Sequence, residues 1–231
     1  MRILGISAKW LFVLCLPVLL LTASIGGAMN SLWLYKYGFE KYNIGATTGL
    51  ADSELEMAAK GLISYFNSDE EYINITVIKD GEPFKLFNRR EVGHLKDVKG
   101  LFWLDYQVLL GTLIYVLSYA MVNLFWRRRR YWQHLARGLV SGSGLTLALM
   151  LTLGLGMLLN FDQLFLQFHF VSFANELWQL DPSRDYLIML FPRGFWYDTA
   201  LFCALVTALG AVVLGGVGYG YLRFSGRKTV S

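Results

Sequence analysis

The sequence predicts an all-α membrane protein, a bundle of four transmembrane helices with a small α/β extracytoplasmic domain between helices 1 and 2. Three observations predict it. Of 231 residues, 55% are hydrophobic and only 16% charged, a balance outside the range of soluble domains. Four apolar runs, at 10–29, 104–126, 139–159 and 199–222, are each long enough to cross a hydrocarbon core, which takes about 20 residues. The basic residues gather at the ends of those runs, the pattern of a topology signal and not of a nucleic-acid footprint, so nucleic acid is excluded as a partner.

The first run, in segment 1–29, follows Arg2 and Lys9 and contains Pro17, which a membrane helix tolerates when neighbours satisfy the freed backbone groups. The same features, with small residues at Gly26 and Ala28, also imitate a cleaved signal peptide. The linker 127–138 holds Arg127, Arg128, Arg129, Arg130 and Arg137, which marks it as cytoplasmic. Both termini, with Arg2 and Lys9 at one end and Arg223, Arg227 and Lys228 in tail 223–231, then fall on the same side. The protein is read as multi-pass in a cell membrane, with segments 30–103 and 160–198 outside. Trp33, Trp103, Tyr106, Trp196 and Tyr197 anchor the outer interface, and Trp10, Trp126, Tyr131 and Trp132 the inner one.

Small residues spaced four apart, Gly138 with Gly142, Ala211 with Gly215 and Gly216 with Gly220, predict close helix approach. The helix interiors lack Asp, Glu, Lys, Arg and His, which argues against a pump, channel or coupled transporter. Chemistry is therefore expected at a surface. Cys15 and Cys203 lie in apolar runs and read as small hydrophobes.

In segment 30–103, Ser53 with Glu56 predicts a capping box, and Leu55, Ala58, Ala59, Leu62 and Phe66 follow at helical spacing. Ile73, Ile75 and Val77 alternate, and Asp80-Gly81 then leads to the run from Phe84 to Phe87, which predicts a hairpin. Asn88 and Glu91 cap a further helix. A core of this size is marginal alone, and the domain is expected to lean on the bundle.

The helix after Asn88 begins with REVGHLKDVKGLF, in which Glu91, His94 and Asp97 share one side at three-residue steps. A carboxylate beside an imidazole can fix its tautomer and raise its basicity, as a general base requires. The second segment contains FDQLFLQFHFVSFANELWQLDP. Read as a helix, it aligns Asp162, His169 and Glu176 at seven-residue steps, with Phe165, Leu166 and Phe173 alongside. A solvated charged face and an interfacial helix explain most of both stretches. They explain less well a histidine inside the apolar run QFHFVSF, which needs a partner. His94 and His169 both fall on the outer side, while His134 lies inside near the arginines and reads as ordinary. Asn175 and the outer acids can orient the rings, and Arg89, Arg90 and Lys96 can hold anionic or carbonyl groups. No His-Glu-x-x-His, cysteine ligand set or nucleophile elbow supports a metal or serine mechanism.

REVGHLKDVKGLF and FDQLFLQFHFVSFANELWQLDPSRDYLIMLFPRGFWYD, on four spans of this layout, resemble the bacterial lipoprotein intramolecular transacylase family. The resemblance implies transfer of the sn-2 acyl chain of a diacylglyceryl-cysteine lipoprotein to its own α-amino group, giving a lyso-form. It implies lipoprotein and membrane-lipid partners and His94 and His169 as the family's histidines. Ester-to-amide exchange runs downhill, so no cofactor is expected. On this reading His169 and His94 are catalytic, with Asp97 orienting His94. Glu91, Arg90, Asp162, Asn175 and Trp178 are candidates for holding substrate. The rival reading is a non-catalytic scaffold or lipoprotein-binding subunit that docks a partner through the same motifs.

Overall fold

The structure is a computed structural model and describes residues 2–125 and 130–227. Trp126, Arg127, Arg128, Arg129 and Lys228, part of the topology argument above, lie outside the described residues. The chain runs α1 (Arg2–Met29), α2 (Leu32–Lys41), α3 (Ile44–Thr48), α4 (Asp52–Phe66), β1 (Thr76–Lys79), β2 (Glu82–Lys85), α5 (Arg89–Phe125), α6 (Arg130–Ser172), α7 (Tyr186–Leu190) and α8 (Arg193–Arg227). The described residues of the four apolar runs lie within α1, α5, α6 and α8, the four helices among the described residues that are long and apolar enough to span a membrane. The insert between α1 and α5 is a set of short helices and one hairpin.

Two compact units form. The first comprises Met1–Ile25, Asp105–Gly156 and Phe202–Ser231. Its helices approach closely because small residues stand at the crossings. A Cβ on Gly142 would come within 2.8 Å of Leu16, and one on Gly215 within 2.9 Å of Ser143; with little hydrophobic drive between helices in lipid, such backbone proximity is what packing relies on. Gly138 faces Phe12 in the same way, and Ala211 is fully buried. The expected contact through Gly216 and Gly220 is not made: both face open space, and Gly210 and Gly218 on other sides of α8 meet Leu20 and Ala136. The hydroxyls of Ser24 and Thr207 lie 2.9 Å apart, and Tyr115 donates to the carbonyl of Ala8 at 2.8 Å. The outer faces carry Leu151, Leu205, Leu209 and Val217, all exposed. A belt of such residues suits lipid and would be a liability in water.

The second unit comprises Gly26–Leu104 and Met157–Leu201. Leu55, Ala58, Ala59, Leu62 and Phe66 form the buried face of α4, as their spacing predicts. Its start differs from the expectation. Ala51 is the N-cap and Asp52 the first helical residue, so Ser53 and Glu56 form no capping box, and Glu56 pairs instead with Lys36 and Lys60. The hairpin turns at Asp80 and Gly81, both at positive φ (53° and 84°), and pairs Val77 with Phe84. That is the geometry a two-residue turn needs to match strand twist. The core of the unit takes Tyr35, Leu62 and Val77 from the insert, Leu95 from α5, and Leu187, Leu190, Phe191 and Phe195 from the later segment. The insert is thus completed by residues about 90 positions downstream of it, which answers its small size. Trp196, expected as an interfacial anchor, packs against this core.

α5 joins the charged stretch and the second apolar run in one 37-residue helix. At 1.5 Å rise per residue it measures roughly 55 Å, well beyond the roughly 30 Å of a hydrocarbon core, so its first turns extend past the spanning part. α6 behaves differently. Asn160 breaks it with φ −161° and ψ 80°, and its side-chain oxygen accepts the Gln163 N–H at 3.1 Å, capping a new helical segment that ends at Ser172.

Candidate functional site

The first turn of α5 is fixed by a reciprocal cap. The Asn88 side-chain oxygen accepts the N–H groups of Arg90 (2.9 Å) and Glu91 (3.2 Å), and the Glu91 carboxylate accepts the Asn88 N–H at 2.7 Å. The other Glu91 oxygen accepts the Leu187 N–H at 2.7 Å. Glu91 is 1% exposed. Burial raises its carboxyl above the usual range, and the bonds from Leu187 and Asn88 oppose that rise. Glu91, a substrate-binding candidate in sequence, is thereby spent on tying α5 to α7. Asp185, which the sequence reading did not single out, does similar work: it is buried, accepts from the Asn88 amide at 2.9 Å and from the Asp181 N–H at 2.7 Å. Its place as N-cap residue before α7 is the signal that could have found it.

One turn further along α5, His94 is buried at 7% exposure. His169 stands near the end of the segment that Asn160 starts, half-buried. The two imidazoles face each other with ring centroids 6.2 Å apart and planes inclined by 29°. Phe173 closes one side, 4.9 Å from His94 and 5.6 Å from His169. Phe165 and Trp178 pack on His169 at 4.5 and 5.0 Å. The result is a pair of rings in an aromatic pocket.

The apolar walls set the electrostatics. Burial lowers the pKa of His94 from 6.5 to about 4, His169 adding to the drop and Asp97 opposing it. Burial also lowers His169, against a hydrogen bond to the Phe165 carbonyl. Both rings are therefore neutral near pH 7. The His169 Nδ1 lies 2.8 Å from the Phe165 carbonyl oxygen. A carbonyl only accepts, so Nδ1 carries the proton and Nε2 keeps its lone pair. The sequence reading named Phe165 as a neighbour but missed its carbonyl. Spacing offered the clue, since residue i−4 on a helix lies beneath residue i. His94 Nδ1 is buried without a hydrogen-bond partner among the described residues.

The segment after α6 is laced to α5. Asn175 donates to Asp97 at 2.8 Å, Arg90 donates to the Glu176 carbonyl at 2.7 Å, and Leu177 rests so close to Gly93 that a Cβ there would lie 2.9 Å from it. Asp97, expected to orient His94, directs its hydrogen bond to Asn175 and reaches the ring only through its field. Arg90, expected to hold a substrate group, holds main chain. The helical alignment of Asp162, His169 and Glu176 is not formed, because the helix ends at Ser172 and leaves Glu176 in a turn. Asp162 pairs with Arg193. Of the candidates, His94, His169, Asp97, Asn175 and Trp178 gather in one place, while Glu91 sits beneath it and Asp162 lies two turns from His169. Among the described residues no three His, Cys, Asp or Glu side chains converge as metal ligands.

The described features define an integral membrane protein with four candidate spans and a paired-histidine pocket built on the helix extensions. Residues 10–196 match the family described as "Lipoprotein intramolecular transacylase Lit", and the chain belongs to that family. It is 31% identical over 152 residues to an uncharacterized protein of Aquifex aeolicus (strain VF5), a match that spans 64% of this chain and 64% of that relative's length. The fold is similar to that of the membrane integral lipoprotein intramolecular transacylase Lit from Bacillus cereus, with a TM-score of 0.79 at 18% identity over 99% of this chain and 100% of that one. Two histidine variants of the same protein, one to alanine and one to arginine, superpose with TM-scores of 0.73 and 0.70 at 18% and 19% identity, covering 97% and 99% of this chain and 94% and 97% of theirs.

Proposed function

We propose that the protein moves the sn-2 acyl chain of a diacylglyceryl-cysteine lipoprotein onto the α-amino group of the same cysteine, with His94 and His169 managing the protons. The observation that carries this reading is the facing ring pair, His94 buried and His169 half-buried, with His169 Nε2 left as the free base by the bond from Nδ1 to the Phe165 carbonyl. The neutral amine attacks the ester carbonyl, and its surplus proton passes to His169 Nε2. The tetrahedral intermediate collapses to an amide, and the departing glycerol oxygen takes a proton delivered through the histidines. One N–C bond forms and one C–O bond breaks, so substrate and product are isomers and no co-reactant is consumed.

Holding both reacting groups on one substrate makes the step intramolecular, an advantage of about 7–11 kcal/mol in favourable model reactions. The aromatic walls formed by Phe165, Phe173 and Trp178 give acyl chains an apolar berth and keep water from competing with the amine. Asp97 and Asn175 act by holding the 173–178 segment against α5. Diacylglyceryl lipoproteins are the partner class this chemistry requires.

Orientation belongs to the same proposal. The arginine cluster of 127–130 in the sequence favours a cytoplasmic linker, which puts both termini inside and segments 30–103 and 160–198 outside, with the pocket at the outer leaflet. The test is expression of His94→Ala and His169→Ala in a strain lacking other N-terminal lipoprotein acylation. Fragment spectra of lipoprotein N-termini then locate the acyl chain on nitrogen or on glycerol. Wild type yields N-acyl lyso-forms, and each variant leaves the diacylglyceryl form; full lyso-form production by both variants overturns the proposal.

A further inference from the structure

Beside the histidine pocket, on the same first turns of α5, lies an open cleft of about 610 Å³ whose lining includes Tyr72, Asn74, Lys85, Arg89 and Gly93. Gly93 belongs to the lining and precedes His94 on α5; a Cβ there would lie 2.9 Å from Leu177, whose neighbour Trp178 packs on His169. The charged side chains in the cleft lining, Lys85 and Arg89, are both cations and both exposed. One wall is the stretch 72–74, which comes before β1 and makes no main-chain hydrogen bond with another main-chain group among the described residues. Main chain that lines a cleft with free N–H and C=O groups is a template for an added extended strand.

Building on the transacylase reading above, we propose that this cleft holds the polypeptide that follows the lipid-bearing cysteine. The reacting cysteine is the first residue of its protein, so a single chain must leave the pocket from its carboxyl side. The cleft reaches Gly93, the residue before His94 on α5, has the volume of a small-ligand or short-peptide site, and offers two kinds of contact. Main-chain bonds to 72–74 read no side chains and so accept different sequences. Lys85 and Arg89 favour carboxylates in the residues just after the cysteine.

The test uses the full-length protein in lipid nanodiscs and a synthetic diacylglyceryl-cysteine hexapeptide carrying a benzophenone at its third residue, in an acidic and a basic version. After illumination, peptide mapping locates the adducts. The expected result is labelling within 72–75 and 85–93, stronger for the acidic probe. The double change Lys85→Glu with Arg89→Glu reverses that preference, shifting the acidic-to-basic labelling ratio by roughly tenfold, as loss of a charge-assisted contact implies. Adducts confined to other segments, no adducts, or a ratio unmoved by charge reversal overturn the cleft assignment. Labelling in the cleft without any acyl transfer by wild type speaks against the reaction and leaves the cleft standing; transfer with labelling elsewhere does the opposite.

Discussion

The imidazole of His94 faces that of His169 with 6.2 Å between ring centres, although 75 residues separate them in sequence. Phe165, Phe173 and Trp178 keep the surroundings apolar. This relationship depends on ties that hold the segment after α6 against α5, and those ties are where the account is most open to test.

Asp97 and Asn175 form one such tie. Because Asp97 acts through Asn175, Asp97→Ala and Asn175→Ala each lower turnover by a similar factor, roughly threefold to tenfold for the loss of one hydrogen bond involving a charged group. The double variant is no worse than either single one. A double-mutant cycle on kcat checks this; an Asp97→Ala effect far larger than that of Asn175→Ala would mean that the carboxylate serves His94 directly.

Burial of His94 makes stability depend on pH in a definite direction. Its folded pKa is lowered to about 4 from an ordinary 6.5, and His169 moves the same way. Between those values the unfolded chain binds a proton that the folded protein refuses, so stability is unaffected above about pH 6.5 and falls as pH drops towards 4. His94→Gln removes that titration. Thermal unfolding in nanodiscs from pH 7.5 to 4.5 should show a shallower decline for the variant than for wild type, and parallel curves would contradict the assigned burial.

Glu91 is predicted to be structural. Its two oxygens satisfy the N–H groups of Asn88 and Leu187, and Glu91→Gln turns an acceptor into a donor facing one of them. A buried donor left unpaired costs about 1–3 kcal/mol. The variant should melt earlier, with kcat per folded molecule near that of wild type, as measured by unfolding and by activity normalised to folded protein.

Much of this architecture was legible in the sequence because its signals are local. Four apolar runs declare the spanning helices, Asp80-Gly81 declares the hairpin turn, and Asn88 with Glu91 declares the start of α5. The placing of one histidine before the second span and another after the third suggested that the two rings share a side. What sequence could not supply were the long-range partners. Asp97 is as well spaced to serve His94 as to reach solvent, and only the fold brings Asn175 to it. Helical periodicity carried the second segment through Glu176 because nothing local forbids it, whereas the chain leaves the helix at Ser172 so that Trp178 can return over His169. Gly216 and Gly220 have the spacing of a packing motif and face nothing, since spacing alone does not say which side of a helix has a neighbour. The join between the charged stretch and the second span was missed for the opposite reason: both were read as helix, and no break separates them.

The most direct test of the paired-histidine account is the reaction itself, with purified protein in nanodiscs and a synthetic diacylglyceryl-cysteine peptide. Transfer is followed as loss of the free α-amine at constant total mass. His169→Asn is the decisive variant, because its amide can still donate to the Phe165 carbonyl while nothing replaces Nε2. The account predicts that wild type converts the peptide and that folded His169→Asn is slower by about 10²–10⁴-fold, the usual worth of a positioned acid–base group. Conversion by folded His169→Asn at the wild-type rate would contradict it.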